Sequence, residues 1–406
     1  MFSAKEIILS EIKPALGCTE PAAIALNAAY LREFGEGIVE DNLKLTVNTN
    51  LLKNAMYVPI PNTGRRFGLK LAFALGYLFG DVKDGLKIFK ALNEEKVKKA
   101  LEFSKKVEVE VTEGSELFIK SENKYAQAVT KKFHDNVEYV ISKGKKKEFK
   151  NALAQNEVKS YVLEDKPFDV VYDLIEKEKE FLFVKEAVKL NMDLASYGMS
   201  HDVGINVGKQ FSGDFLKDKI CKITASASDS RMEGVNLPAM SLTGSGNHGI
   251  SATLPVWVYA KEKGFSEDDA LKAIALSMLI TIYVKLFIGR LSVICGAAVA
   301  SGCGVAGAIA YLEGDREVSK KAVKHVIQNI STLLCDGGKM ACSLKVLQGA
   351  RTGYESAQFA INGMEVYDDG VLFDDITKTI HALKEIKEKM KGVDEKIVKI
   401  MKEKLL

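Results

Sequence analysis

Cys295, Cys335 and Cys342 stand in stretches that are otherwise small, apolar and rich in glycine. The first lies within Leu291–Ala298, and the other two bracket the turn Cys335–Cys342, which reads Cys-Asp-Gly-Gly-Lys-Met-Ala-Cys. Three thiols with no fourth close by suit a metal cluster with one open coordination site. A further thiol, Cys18, lies far away in Gly17–Pro21, read as Gly-Cys-Thr-Glu-Pro. If the fold returns it to the other three, the centre is equipped for Lewis-acid catalysis. Zinc is the competing metal. It prefers four tetrahedral ligands, or a histidine-rich open site with close ligand spacing. The chain has no Cys-x-x-Cys and no close Cys/His pair, so thiolates around an iron–sulfur cluster fit better.

The elements that must position these thiols are legible nearby. Val323, Val326, Ile327, Ile330 and Leu334 mark one face of a helix starting near Ser319, which would deliver Cys335 at its end. Asp336-Gly337-Gly338 then breaks it. A second helix is expected from about Lys339, with Cys342 in its first turn, where free N–H groups favour a thiolate. Cys295 comes from a third element, and Gly296, Gly302, Gly304 and Gly307 leave room around it. Cys18 directly precedes a helix opening at Thr19-Glu20-Pro21, a place expected to lower its pKa. A thiolate there is a nucleophile, a ligand or a base. Cys221 and Cys303 read as core residues.

The bulk numbers bound the rest. The chain has 406 residues, 47% apolar and 27% charged, with a formal net charge of +3. Near-balance argues against a nucleic-acid role, which calls for a stronger or clustered basic excess. Lysines crowd 86–106, 141–150 and 378–405, but acids are interspersed, as on solvated helix faces. Six cysteines in this length are no disulfide framework. The opening Met-Phe-Ser-Ala-Lys-Glu lacks the regions of a secretory signal, so reducing cytoplasm is expected. The longest apolar stretch, 270–312, is interrupted by Lys272, Lys285 and Arg290 and is rich in Gly and Ala; buried helices of small residues are expected, not a membrane span.

Ser3 and Glu6 form a capping box, with Phe2 and Ile7 placed as a staple, for a helix that stops or kinks at Pro14. An alanine-rich helix covers about 20–33, 42–50 alternates as a strand, and 68–79 is helical again. Residues 106–121 alternate across a Gly-Ser turn and read as a hairpin. Helical periodicity dominates from Phe168, ending in an amphipathic helix with Ile376, Ile380, Leu383 and Met390 on one stripe. The expected fold is α+β. A mostly helical catalytic body is built from both chain ends, 1–35 and 166–406, with an α+β domain, 36–165, inserted between them.

Gly17–Ala23, Pro61–Gly64, Thr243–Gly249 and the Cys-x6-Cys of 335–342 together resemble the L-cysteine desulfidase family of archaea and anaerobic bacteria, over about residues 10–365. That family is similar in chemistry to the iron–sulfur L-serine dehydratases. The resemblance implies an oxygen-sensitive [4Fe-4S] cluster and conversion of L-cysteine to pyruvate, sulfide and ammonia without pyridoxal phosphate. It implies Cys295, Cys335 and Cys342 as cluster ligands and Cys18 as the catalytic thiol. It also implies iron–sulfur assembly machinery as a partner. Homo-oligomer formation is left open.

A small zwitterionic substrate needs donors for its carboxylate and acceptors for its ammonium. The candidates are Asn48 and Asn50, with Asn54, near a strand end; Asn62 and Thr63, in the turn between Pro61 and Gly64; and Ser245, Asn247 and His248, in a glycine-rich loop. Turn and cap duty is the competing role for the asparagines. His134 and His325 read as surface residues. Gly244, Gly246 and Gly249 also spell the dinucleotide fingerprint, but residues 237–242 make a poor parallel strand, which weakens an oxidoreductase reading. L-serine dehydration, and a cluster-based sensor without catalysis, are the remaining alternatives.

Overall fold

The structure is a computed structural model and describes residues 2–114, 116–149 and 159–404. Its first helix forms as its cap dictates. The Ser3 hydroxyl accepts from the Glu6 N–H, the Glu6 carboxylate accepts from the Ser3 N–H, and Ala4–Glu11 follows. Pro14 has no amide donor, so the chain leaves the helix. Ile12–Leu16 becomes a strand, paired antiparallel with Pro238–Leu242. This two-stranded ribbon ties the N-terminal loop to the glycine-rich loop after Leu242. It also removes the context for a dinucleotide fingerprint, because the strand before Gly244 belongs to no parallel βαβ unit.

The larger sheet has six strands, in the order Glu108–Thr112, Lys44–Asn48, Phe118–Glu122, Ala126–Lys131, Val137–Ser142 and Lys145–Glu148. The hairpin expected over 106–121 is not formed. Lys44–Asn48 lies between its two arms, parallel to one and antiparallel to the other. Alternation fixes which face a side chain takes, and says nothing about which strand sits next door. Ser115, at the expected turn, and 150–158, within the span read as the inserted unit, lie outside the described residues. Helix Thr19–Phe34 packs on helix Leu69–Phe79 and on this sheet, with Asn27 Nδ2 donating to Thr130 Oγ1 at 2.8 Å.

The rest of the described chain is largely helical, so the fold is α+β with a mostly helical body, as the periodicity predicts. At its centre lies Glu267–Ile288, the one described helix long and apolar enough to cross a membrane; 89% of its most apolar window is buried inside the fold. Val299–Glu313 and Gly246–Glu262 pack against it. The long apolar stretch is thus two core helices, and the segment between them carries Cys295. The C-terminal stripe is two helices, Ile376–Lys389 and Lys391–Glu403, which part at Met390.

Candidate metal centre and active site

Cys295 and Cys335 lie on two extended segments joined by an antiparallel bridge between Ile294 and Leu334. The Cys295 N–H donates to Leu333 O at 2.8 Å and the Cys335 N–H to Val293 O at 2.6 Å. Cys335 is therefore not delivered by a helix end. The preceding helix, capped by Asp315, is Arg316–Ile330 and stops short of it. Cys342 is the first residue of helix Cys342–Ile361. The turn between them lies on the end of helix Thr49–Ala55: a Cβ at Gly337, where φ is +97°, would come within 2.3 Å of Lys53 O, and one at Gly338 within 2.5 Å of Asn54 O. Cys18 is the N-cap residue of Thr19–Phe34.

All four of these thiols line one cavity of about 100 Å³, while Cys221 and Cys303 are buried elsewhere. Cys18 Sγ is 3.9 Å from Met232 Sδ, in a small apolar cluster with Val58 that Cys342 packs against. Pocket size also bears on the ligand. Drug- and cofactor-sized sites run to roughly 300–1,000 Å³, so this one suits a small molecule.

Lys53 holds the two extended segments in place. Its fully buried ammonium donates to Cys335 O at 3.1 Å and Ser292 O at 3.3 Å, and is paired with Asp394 at 2.5 Å. The last described helix thereby braces the cavity from outside, although its stripe carries no sign of this. Asp394→Ala leaves that ammonium buried and unpaired, and is expected to lower the unfolding free energy by about 3–5 kcal/mol. Denaturant unfolding checks it; a loss below about 1 kcal/mol, the level of a surface ion pair, would mean the brace is not used.

Of the polar candidates, Ser245, Asn247 and His248 line the cavity. Asn48, Asn50, Asn62 and Thr63 do not. Asn48 spends its amide on Gly114 O at 3.1 Å and on the Phe118 N–H. Asn50 is buried off the cavity. Asn62 donates to Phe89 O at 3.0 Å, and the Thr63 hydroxyl to Ile60 O at 2.7 Å. Their motif nonetheless serves the site, since Pro61 packs on Gly17, where a Cβ would come within 2.4 Å of the ring. It is a buttress for the Cys18 loop. Asn54 does reach the cavity, donating to Glu20 Oε1 at 3.1 Å.

Glu20, His134, Arg231, Lys285, Arg290 and Lys345 also line the cavity, and the residue types alone singled out none of them. His134 is buried, not on the surface. Burial acts to raise the Glu20 carboxyl, but the His134 ring, 3.9 Å away, outweighs it and Arg231 adds to the effect, so Glu20 is held at about 2. Arg290 is paired with Glu11 at 2.5 Å, and Lys345 with Asp336. Arg231 and Lys285 have no carboxylate within ion-pair distance among the described residues. Burial pushes the Lys285 ammonium down to about 7, although Cys335 and Cys295 pull it the other way.

His248 is kept neutral. Burial drives it well below its ordinary range, and the Lys285 charge adds to this. Its Nδ1 is 2.8 Å from Thr243 Oγ1 and 3.2 Å from Leu242 O. A carbonyl only accepts, so Nδ1 bears the proton and Nε2, which faces Gly296, is left with its lone pair. The thiols depart from expectation. Burial pushes Cys18 up to about 12, with the Arg231 charge opposing it, and Cys295 likewise to about 12. At Cys18 the loss of water outweighs the helix N-terminus.

The donor set suits an iron–sulfur cluster. Among the described residues no three His, Cys, Asp or Glu side chains converge tightly enough for a single ion. A cubane is wider than an ion and stands between its thiolates, so it needs a cavity with sulfurs on its walls. Thiolates around such a group carry net negative charge, and the cations facing them exceed the one carboxylate on the wall.

Comparison with known proteins gives the family. The serine dehydratase alpha chain family matches residues 83–399. A UPF0597 protein of Nautilia profundicola is 57% identical, with 100% of both chains covered. Others from Desulfotalea psychrophila and Caldanaerobacter subterraneus are 36% and 34% identical, with at least 97% of each chain covered. These names state no activity. No solved structure matches the chain.

Proposed function

The chain belongs to the serine dehydratase alpha chain family, a family of iron–sulfur-dependent lyases, and from that premise we propose that it is an L-cysteine desulfidase. It would convert L-cysteine to pyruvate, sulfide and ammonia by β-elimination. The observation that carries the reading is the meeting of Cys18, Cys295, Cys335 and Cys342, from distant parts of the chain, in one small cavity. Cys295, Cys335 and Cys342 are the residues to hold a [4Fe-4S] cluster, supplied by the cell's iron–sulfur assembly machinery in a reducing compartment.

When bound, the cluster supplies a Lewis-acidic iron for the leaving group. The chain's own side chains do the rest. Cys18 accepts the α-proton; its thiol is buried, so it needs the neighbouring positive charge to ionise. Glu20, ionised and held by Asn54, faces the substrate ammonium. Ser245 and Asn247 open helix Gly246–Glu262 and present polar groups to the substrate. As the Cα–H and Cβ–S bonds break, a Cα–Cβ double bond forms, and the aminoacrylate released hydrolyses in water to pyruvate and ammonia.

A second reading, L-serine dehydration, is favoured by the description of the matching family. Only the leaving group differs. Anaerobically purified protein should be brown and carry about four irons per chain. It should release pyruvate and sulfide from L-cysteine faster than pyruvate from L-serine. The reverse preference would make it a dehydratase. Colourless protein with stoichiometric zinc after iron reconstitution would overturn both.

A further inference from the structure

We propose that Arg231 is the anchor for the substrate's α-carboxylate, and so the residue that makes the site select α-amino acids. The proposal rests on the lyase reading above. Arg231 lies in the last turn of helix Leu216–Glu233 and is 4% exposed, and its guanidinium, which adjoins the Cys18 thiol, meets no carboxylate within ion-pair distance among the described residues. Nε has no hydrogen-bond partner among the described residues, and Nη1 reaches only the weak acceptor Met232 Sδ, at 3.4 Å. A buried guanidinium without an anion is costly. The other three cations of the cavity are spoken for to differing degrees: Arg290 by Glu11, Lys345 by Asp336, and Lys285 by Arg290 O at 3.1 Å.

The surroundings specify the anion. Arg231 lies over Gly246, where a Cβ would come within 2.2 Å of Nε, so only glycine leaves it this place. Gly246 begins a helix whose N-cap, Ser245, makes no side-chain cap bond. The first-turn N–H groups of that helix have no partner within it. A planar fork beside free helix N–H groups matches a carboxylate in shape and charge. Glu20 lines the same cavity and would take the ammonium, and the four thiols line it too. An α-amino acid held at both ends presents its Cα to Cys18, which adjoins Arg231. Arg231 and Glu20 thus divide the two charges of one zwitterion.

The test compares two ligands that cannot be eliminated, 2-methyl-L-cysteine, which has no α-proton, and cysteamine, which has no carboxylate. Binding to iron-loaded, anaerobic protein is read from the change in visible absorption, alongside iron content. Wild type is expected to prefer the carboxylate-bearing ligand by roughly 10- to 100-fold, the range for a charge-assisted hydrogen bond. Arg231→Gln should bring that preference close to unity with cysteamine affinity unchanged, and Arg231→Lys should restore part of it. An equal affinity for both ligands in wild type overturns the proposal without any variant. So does loss of iron in both variants, which would assign Arg231 to the thiolates. The two readings fail separately. Wild type with neither iron nor pyruvate formation sinks the lyase, and the anchor with it; iron, turnover and an undiminished preference in Arg231→Gln sink the anchor alone.

Discussion

Cys335→Ala is expected to empty the site of iron, and Cys295→Ala and Cys342→Ala to do the same. Each leaves two of the three thiolates proposed as ligands, and two rarely retain a cubane. Changing a group that only supports a metal ligand costs about 10- to 100-fold in affinity, so loss of a ligand itself should exceed that. The surroundings sharpen the effect. Cys335 and Cys295 are held side by side by reciprocal backbone bonds across the Ile294–Leu334 bridge, so neither can move far to compensate for the other. Gly337 and Gly338 press the turn onto Lys53 and Asn54, which fixes Cys342 as well. Cys221→Ala and Cys303→Ala should keep both iron and activity, because neither thiol reaches the cavity. Iron and acid-labile sulfide per chain, measured after anaerobic reconstitution, decide the matter. Iron lost with Cys303→Ala but kept with Cys295→Ala would move the third ligand.

The parts of this site that were legible in the sequence are those with a local signature. Glycine pairs break helices, a cap fixes a helix start, and alternation marks a strand. Hence the glycine-pair break at 336–338, a helix beginning after it, expected near Lys339 and formed from Cys342, and the helix after Cys18 were readable from composition and order. What was not readable depends on partners far along the chain. Arg231, Lys285 and Lys53 are single basic residues in helices, with nothing to separate them from the solvated lysines of Glu94–Ser104. Their meaning comes from burial beside groups on other elements, for Lys53 as far along the chain as Asp394. The asparagines illustrate the opposite case: clustering near a turn is real, but Asn48 and Asn62 spend their amides on backbone carbonyls. His134 looked exposed because its flanks are polar, whereas the turn that carries it folds over Glu20. The thiol pKa values illustrate the same limit. Position at a helix N-terminus is a sequence fact, and desolvation is a property of the packed whole.

Cys18→Ala and Cys18→Ser are expected to keep the cluster on the three other thiolates and to lose turnover by about 10²- to 10⁴-fold, the usual contribution of a positioned proton acceptor. The serine variant should be almost as poor as alanine. Burial already pushes the Cys18 thiol up to about 12, with Arg231 opposing the shift. An aliphatic hydroxyl starts several units higher and cannot be brought within reach of neutral pH by the same neighbour. The loop has little freedom to substitute another group. Gly17 has φ of +68°, and Pro61 fills the space a side chain would need there, so the thiol is held at the mouth of helix Thr19–Phe34. Two measurements separate a base from a ligand. Iron content should be unchanged in both variants, and wild type alone should exchange the α-proton of a bound, unreactive amino acid such as L-alanine with deuterium from solvent. His248 is the group that could replace Cys18, since its Nε2 faces Gly296 with a free lone pair. Exchange and turnover that survive Cys18→Ala but vanish in His248→Gln would transfer the role of base to the imidazole, and Cys18 would then be left as a ligand or a wall.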